Sequence, residues 1–293
     1  MARRVHCASA VICVIGAIAF PNSSHAQSFL DHFIVRQDLS TSKNVAQPSF
    51  FQLTAPEGKP VVIAAGVGVI GKIVDNDLVT FGPSVEYLRN TDLVKPVDST
   101  KVGASLEWQT RKTGTSRGFA ADSPIVIARA NYVRDGLKET NGFQALALYT
   151  HYFAGRRRWP LPNNEHGFGQ ELSLIYSPDA GLEFEDDGGS SQAAPGHAVR
   201  FVAEVSVLMY PLRKTLEQRL ELAGSVSTRS DLVKTFIYED REHVLSSAGV
   251  NFYLLKQARR SAGVGVTFTY GEDPSKGFAR QHVWQFGFRV QFK

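Results

Sequence analysis

Hydrophobic and polar residues alternate with a period of two along much of the chain, most clearly at its C-terminal end. From residue 284 to residue 292, the apolar Trp284, Phe286, Phe288, Val290 and Phe292 are separated by Gln285, Gly287, Arg289 and Gln291. This is the period of a β-strand whose two faces meet different surroundings. Similar stretches recur from Val79 to Tyr87 and from Val102 to Thr110, with the charges on one side only. The pattern predicts an all-β protein.

Counted along the chain, the alternating stretches and the turns between them predict about twelve strands, with ten to fourteen possible. They start near Ser49, Pro60, Leu78, Lys101, Ile125, Gly142, Gly167, Ala198, Glu217, Leu245, Ser261 and Gln281. Pro83 falls in the middle of one of them and has no N–H for a neighbouring strand. We therefore expect a bulge at Pro83 or a shorter strand.

The N-terminal residues predict export. Arg3 and Arg4 precede an apolar run from Ala8 to Phe20, and Ser24-His25-Ala26 supplies small residues for cleavage. We therefore divide the chain into a signal peptide (1–26), an N-terminal segment that is periplasmic or plugs the lumen (27–47), and the strand-rich region (48–293).

Composition narrows the function classes. Both cysteines, Cys7 and Cys13, lie in the predicted signal, so a scaffold held by disulfides is excluded. Downstream of the signal no run of 18 apolar residues exists, which argues against a helical membrane protein. The net charge is only +4, and Arg3 and Arg4 contribute two of these charges, so nucleic-acid binding is not expected.

A two-faced closing strand that ends on aromatic residues, in a chain with an export signal, resembles the last strand of bacterial outer-membrane β-barrel proteins. The resemblance implies a closed antiparallel transmembrane β-barrel in the cell outer membrane of a Gram-negative bacterium. It also implies contact with outer-membrane lipids and lipopolysaccharide, and an assembly signal for the barrel-assembly machinery in Trp284, Phe286, Phe288, Val290 and Phe292. Because the period alone does not say which face is covered, a soluble exported β-sandwich or lipocalin-like binding protein fits it too.

The polar face of such a barrel would line its lumen, and its charges are mixed in sign. The predicted lumen charges are Lys72, Glu86, Glu107, Arg111, Arg129, Glu171, Arg200, Glu204, Arg219, Glu221, Arg229 and Arg289. A basic lining favours acidic small solutes, whereas arginines that pair with glutamates across the barrel fill it. The sequence leaves both interpretations open.

Candidate chemistry is sparse. His151 lies in a strand without a nearby serine, so we expect a lumen or core residue, and His243 is a base only if its loop meets Asp186 and Asp187. The acidic stretch 183–187 matches no calcium-loop spacing. We predict no metal, no cofactor and no enzymatic activity, and a function as a small-solute channel or structural surface protein. The alternative is a barrel enzyme that acts on lipid or peptide.

Overall fold

The computed structural model describes twelve stretches of the chain. They are residues 32–36, 49–54, 62–76, 78–91, 96–110, 123–137, 139–153, 160–189, 195–235, 241–256, 260–273 and 279–292. The predicted signal peptide and Arg111 lie outside these described residues. Within them, no helix is long and apolar enough to cross a membrane.

The described residues form fifteen β-strands in one antiparallel sheet. In chain order they are β1 (Phe33–Arg36), β2 (Ser49–Thr54), β3 (Val62–Gly71), β4 (Val74–Asp75), β5 (Val79–Asn90), β6 (Val97–Gln109), β7 (Ser123–Asp135), β8 (Thr140–Tyr152), β9 (His166–Phe168), β10 (Leu172–Asp187), β11 (Gly196–Pro211), β12 (Leu220–Lys234), β13 (Glu242–Lys256), β14 (Arg260–Asp273) and β15 (Ala279–Phe292).

Most long strands pair with the strands before and after them in the sequence. From β5 to β8 and from β10 to β15 each strand joins the next, and β10 joins β8 directly. At the other end of this series, β15 pairs with β2, β2 with β3 and β3 with β5. Direct pairing of strands that follow one another in the sequence is the arrangement that antiparallel ladders permit.

Strands β1 and β2 occupy the same position in the strand order, between β3 and β15. Both pair with β3 and with β15, but β1 takes the end of β3 from Gly68 to Gly71 and β2 takes Val62 to Gly66. We expected residues 27–47 to be a plug or a tail. Instead Phe33–Arg36 is part of the sheet, and Ile34 and Val35 are buried.

The two faces of the sheet differ in burial, and the apolar face is the more exposed of the two. The apolar face is exposed: Trp284, Phe286 and Phe288 keep 67%, 63% and 65% of their surface. The polar face is buried, with members that include Ser84, Asn131, Arg200 and Arg289. In a water-soluble sheet the apolar face is the one that becomes covered. We call these the exposed face and the buried face.

Pro83 does not shorten its own strand, so the expectation of a shorter strand is wrong, but the pairing on one side of Pro83 is irregular, as expected for a bulge. Strand β5 stays in register with β6 through the Pro83–Ala104 pair. The irregularity falls on the opposite side, where β3 ends at Gly71 and β4 begins at Val74. Proline has no N–H to offer on that side, so the partner strand breaks rather than β5.

Candidate functional site

A charged cluster lies on the buried face where β10, β11 and β12 adjoin. The guanidinium of Arg200 donates from Nη1 to Oε1 of Glu183 and from Nε to Oδ1 of Asp231, both at 2.9 Å. It also contacts Glu185, and Arg229 approaches the second oxygen of Glu183 at 3.3 Å. Only about 1–2% of the Arg200, Glu183 and Asp231 side chains is exposed. We call these five residues the Arg200 cluster.

A β-bulge makes this cluster possible. The register between β11 and β12 shifts at Val199 and Arg200, so that Arg200 pairs with Asp231 and Val199 with Val233. The extra residue, Leu232, is exposed, as is Val233. A bulge re-aims side chains that strict alternation would place elsewhere. Here it allows two apolar residues to face outward while Asp231 still faces Arg200.

His243 joins the cluster from β13. Its Nδ1 donates to Oε2 of Glu272 at 2.6 Å, and its Nε2 lies 3.6 Å from Oδ2 of Asp231. Glu272 is turned toward His243 by Gly271, which has a φ of +116°. The arrangement places an imidazole between two carboxylates.

Glu272 lies at the end of β14, two residues beyond Tyr270. Arg280 donates to its Oε1 at 3.2 Å. Burial by itself raises the pKa of Glu272, but the hydrogen bonds from His243 and Arg280 outweigh it and hold that pKa below the ordinary value.

A second polar cluster lies toward the opposite ends of β11 to β15. Glu221 accepts hydrogen bonds from the Tyr253 hydroxyl at 2.9 Å and from the Asn251 amide at 3.0 Å. The ammonium of Lys256 lies 3.7 Å from Glu221 and 4.0 Å above the centre of the Tyr253 ring. A second register shift, between Tyr253 and Leu255, precedes Lys256 and leaves Leu254 exposed. We call this the Glu221 cluster.

The wall formed by β5 to β8 carries fewer charges on its buried face. Lys101 and Glu86 form an ion pair at 3.0 Å and keep 20% and 14% of their side-chain surface. Arg129 donates to the Ser105 hydroxyl at 3.3 Å, so it is held by a small polar neighbour. This wall therefore retains accessible charge, in contrast to the Arg200 cluster.

An apolar cluster also lies on the buried face, where the alternating pattern predicts polar residues. It consists of Ile125, Ile127, Leu146, Leu148 and Val202, with Tyr152 packed against them. In the stretch Pro124 to Ala128, both faces of the strand are apolar, which is the sequence signal that strict alternation breaks down there. We call it the Ile127 cluster.

The predicted lumen charges fall into three groups in the structure. Strands β5 to β15 carry one group on the buried face, namely Glu86, Glu107, Arg129, Arg200, Glu204, Glu221, Arg229 and Arg289. Three others lie in turns: Lys72 pairs with Asp75, Glu171 binds Thr215, and Arg219 pairs with Glu217. Arg111 lies outside the described residues.

The two histidines are placed differently from expectation. His151 lies on the exposed face, where its Nδ1 is 3.0 Å from the Tyr149 hydroxyl and its ring contacts Phe153. The expectation of a lumen or core position is therefore wrong. His243 is buried and meets Asp231 and Glu272, not Asp186 and Asp187. Among the described residues, no group of three or more His, Cys, Asp or Glu side chains is arranged to hold a metal ion.

The architecture is one antiparallel sheet with an exposed apolar face, which is similar to that of outer-membrane β-barrel proteins. No protein-family model matches the chain, and no curated protein matches it. A solved structure with some likeness is OmpT (in-vitro folded), an outer membrane protein of Vibrio cholerae. It is 10% identical, the match covers 87% of this chain and 99% of that one, and the TM-score is 0.23.

The prediction that the chain is not an enzyme needs correction. It rested on the lack of a serine near His151 and on the interpretation of the carboxylates near His243 as solvated loop groups, whereas the structure buries His243 between Asp231 and Glu272. A histidine oriented by carboxylates is a combination that acid–base chemistry uses. The exclusion is therefore dropped.

Proposed function

We propose that the protein is a closed twelve-stranded barrel of the bacterial outer membrane that acts as a narrow channel for small solutes. The observation that carries the proposal is the inverted burial of the sheet: large apolar side chains outside, charged and polar side chains inside. A soluble β-sandwich or lipocalin-like barrel buries the apolar face instead. A hydrocarbon environment makes the exposed aromatic stripe of β15 favourable.

Closure is supported by the strand pairings. Among the described strands, a continuous path of neighbours leads from β2 through β3 and β5 to β8, then from β10 to β15 and back to β2. This path contains twelve strands. A sheet with no second layer buries one face by curling on itself, and in hydrocarbon every edge must find a partner.

The interior explains why the channel would be narrow. The Arg200 cluster and the Glu221 cluster pair charges of opposite sign along β10 to β15, so this side of the lumen is filled. On the β5 and β6 side, Lys101 and Glu86 stay partly accessible. A passage lined by this pair admits small solutes only, and a single charge change there alters ion preference.

Location and partners belong to the same proposal. The export signal and the exposed stripe Trp284, Phe286 and Phe288 support delivery to the outer membrane through the barrel-assembly machinery. Lipids and lipopolysaccharide would then contact the exposed face. Arg89 and Arg134 lie on that face near one rim, where they suit phosphate groups.

The test is conductance of the refolded protein in planar lipid bilayers. We expect small, discrete current steps, and in Lys101→Glu a reversal potential shifted toward cations. Arg134→Glu is the matched control, because it changes the same charge on the exposed face and leaves the lumen unchanged. Equal shifts in the two variants would contradict the assignment of the passage.

A second candidate function is a structural surface barrel without a passage. It is favoured by the nearly complete burial of Arg200, Glu183 and Asp231, which leaves water no access to these charges. Folded protein that inserts into the bilayer and gives no current steps would support this candidate and overturn the channel.

A further inference from the structure

The sheet has a seam between β8 and β10. The two strands pair from Gly142 and Asp187 as far as Tyr149 and Ala180, and no pairing continues beyond that point. Strand β8 runs on to Tyr152, still paired with β7, while β10 begins at Leu172 and pairs there with the short strand β9. From residue 175 to residue 179, β10 therefore has no strand partner on this side.

Asn163 fills the seam as a wedge. Its backbone N–H donates to the Tyr176 carbonyl at 2.7 Å, and its side-chain amide donates to Oγ1 of Thr150 at 2.8 Å and to the His151 carbonyl at 2.9 Å. The Ser177 hydroxyl donates to its Oδ1. Asn163 has a φ of +61°, a left-handed conformation that asparagine accepts more readily than most residues.

The seam is thus closed by side chains instead of a backbone ladder. Pro178 has no N–H and cannot extend the pairing with β8, and its carbonyl is taken by the Thr150 hydroxyl at 2.6 Å. Asn164 donates in the same way to the Phe153 carbonyl at 3.0 Å. Backbone groups in a membrane must be satisfied, but side-chain bonds can be exchanged without unzipping a ladder.

Apolar surface lies on both sides of the wedge. On the exposed face, Tyr149, Phe153 and Phe168 surround the seam, as aromatic residues do at a membrane interface. On the buried face, Leu148 of the Ile127 cluster stands two residues before Thr150. An acyl chain that passed the seam would find apolar contacts both before and after it.

A buried carboxylate, that of Asp179, lies next to this apolar cluster. Asp179 lies at the seam on the buried face, with only 4% of its surface exposed. The Ser177 hydroxyl, which gives its proton to Asn163, lies 3.4 Å from Oδ2 of Asp179, and Oδ1 of Asp179 has no hydrogen-bond partner among the described residues. Glu204 is its register partner on β11 and adds a second carboxylate. A buried acceptor of this kind suits a ligand that donates hydrogen bonds, and an ammonium best.

We propose that the β8–β10 seam is a lateral opening through which a single-chain lipid with an amine headgroup enters the barrel, its chain on the Ile127 cluster and its head at Asp179. This inference rests on the proposed outer-membrane barrel. Displacement of Asn163 opens the seam, and its return closes it.

The experiment uses a lysophosphatidylethanolamine with a diazirine at the end of its acyl chain, irradiated with the full-length protein in phosphatidylcholine vesicles. Adducts are then assigned to single residues by mass spectrometry. We expect labelling of Ile127 and Leu148 on the buried face, in addition to Val126 and Ala147 on the exposed face. Labelling of the exposed residues alone overturns the opening but leaves the barrel standing. If neither set is labelled, the membrane assignment itself fails.

A reversible lock tests the route. In Thr150→Cys with Asn163→Cys, a disulfide joins two positions whose side chains already touch, and Cys7 and Cys13 are replaced by Ser. We expect labelling of Ile127 to be lost when the disulfide is oxidised and regained on reduction. The control is Ala147→Cys with Leu182→Cys, which locks the paired part of β8 and β10. Labelling of Ile127 that persists with the seam locked overturns the proposal.

The headgroup is tested separately. Asp179→Asn removes the charge and keeps the shape of the side chain. We expect it to reduce labelling of Ile127 by lysophosphatidylethanolamine and not by lysophosphatidic acid, which carries no amine. An equal loss for both lipids would overturn the role of Asp179 as the headgroup acceptor.

Discussion

Arg200 and Asp231 face each other from neighbouring strands, with the guanidinium Nε 2.9 Å from the carboxylate Oδ1 and 1% of either side chain exposed. Removing one partner of such a pair leaves the other charge buried without compensation. The cost is then much larger than the net contribution of the intact pair.

We therefore expect Arg200→Met to lower the free energy of unfolding by about 3–5 kcal/mol, since Glu183 and Asp231 lose their shared cation. The measurement is urea unfolding of the refolded protein in detergent micelles. Arg219→Met is the control, because Arg219 pairs with Glu217 in an exposed turn. It should change the stability by less than about 1 kcal/mol. Similar losses of unfolding free energy in the two variants would contradict the prediction that the buried ion pair matters more than the exposed one.

The exposed face is expected to reject charge. In the proposed barrel, Phe286→Arg places a guanidinium in hydrocarbon at a cost of about 2–4 kcal/mol near the bilayer midplane. Gln285→Arg adds the same group one residue earlier, on the other face of β15, and should be accepted. The folded fraction is read from the heat-dependent shift in electrophoretic mobility. If both variants assemble equally well, our assignment of the faces is incorrect.

Gly271 is expected to be required for its conformation and for space. Its φ of +116° is unfavourable for any other residue, at about 1–3 kcal/mol, and an added Cβ would lie 2.1 Å from the Val244 carbonyl oxygen. Gly271→Ala should therefore destabilise the protein and displace Glu272 from His243. Gly224→Ala is the matched control, since a Cβ there meets its nearest atom at 3.6 Å. Unfolding midpoints in urea compare the two, and equal midpoints would contradict this role.

Acid should weaken the His243–Glu272 contact. The pKa of Glu272 is held below its ordinary value by the hydrogen bonds from His243 and Arg280, although burial opposes them. A lowered pKa stabilises the fold at pH values above the unfolded pKa, and this contribution is lost as the pH falls through the folded pKa. Urea midpoints of wild type and Glu272→Gln should therefore differ most near neutral pH and converge in acid. A difference that stays constant with pH would argue against this linkage.

The sequence located most strands to within a few residues, because alternation is a local property of the pleat. Eleven of the twelve predicted starts have a counterpart within four residues, for example Ser49 for β2 and Gln281 for β15. The exception is the start near Gly167, which coincides with the short β9 and precedes β10. The short strand β1 was missed, since four residues are too few to show a period.

The candidate site was less predictable, because it depends on register between strands. Arg200 was named from its face, but nothing local indicates that a bulge brings Asp231 opposite it. His243 was paired with the wrong carboxylates, since Glu272 turns inward only through the conformation of Gly271.

The sequence alone determined which residues share a face of each strand, since successive side chains point to opposite sides. It did not determine which face is covered, because a soluble and a membrane sheet have the same period. Only the tertiary structure decided that Arg200 is buried and Phe286 exposed. It also decided where the pairing between β8 and β10 ends. Asn163 fills the gap that results, and pairing between strands distant in the sequence is not encoded in any local pattern.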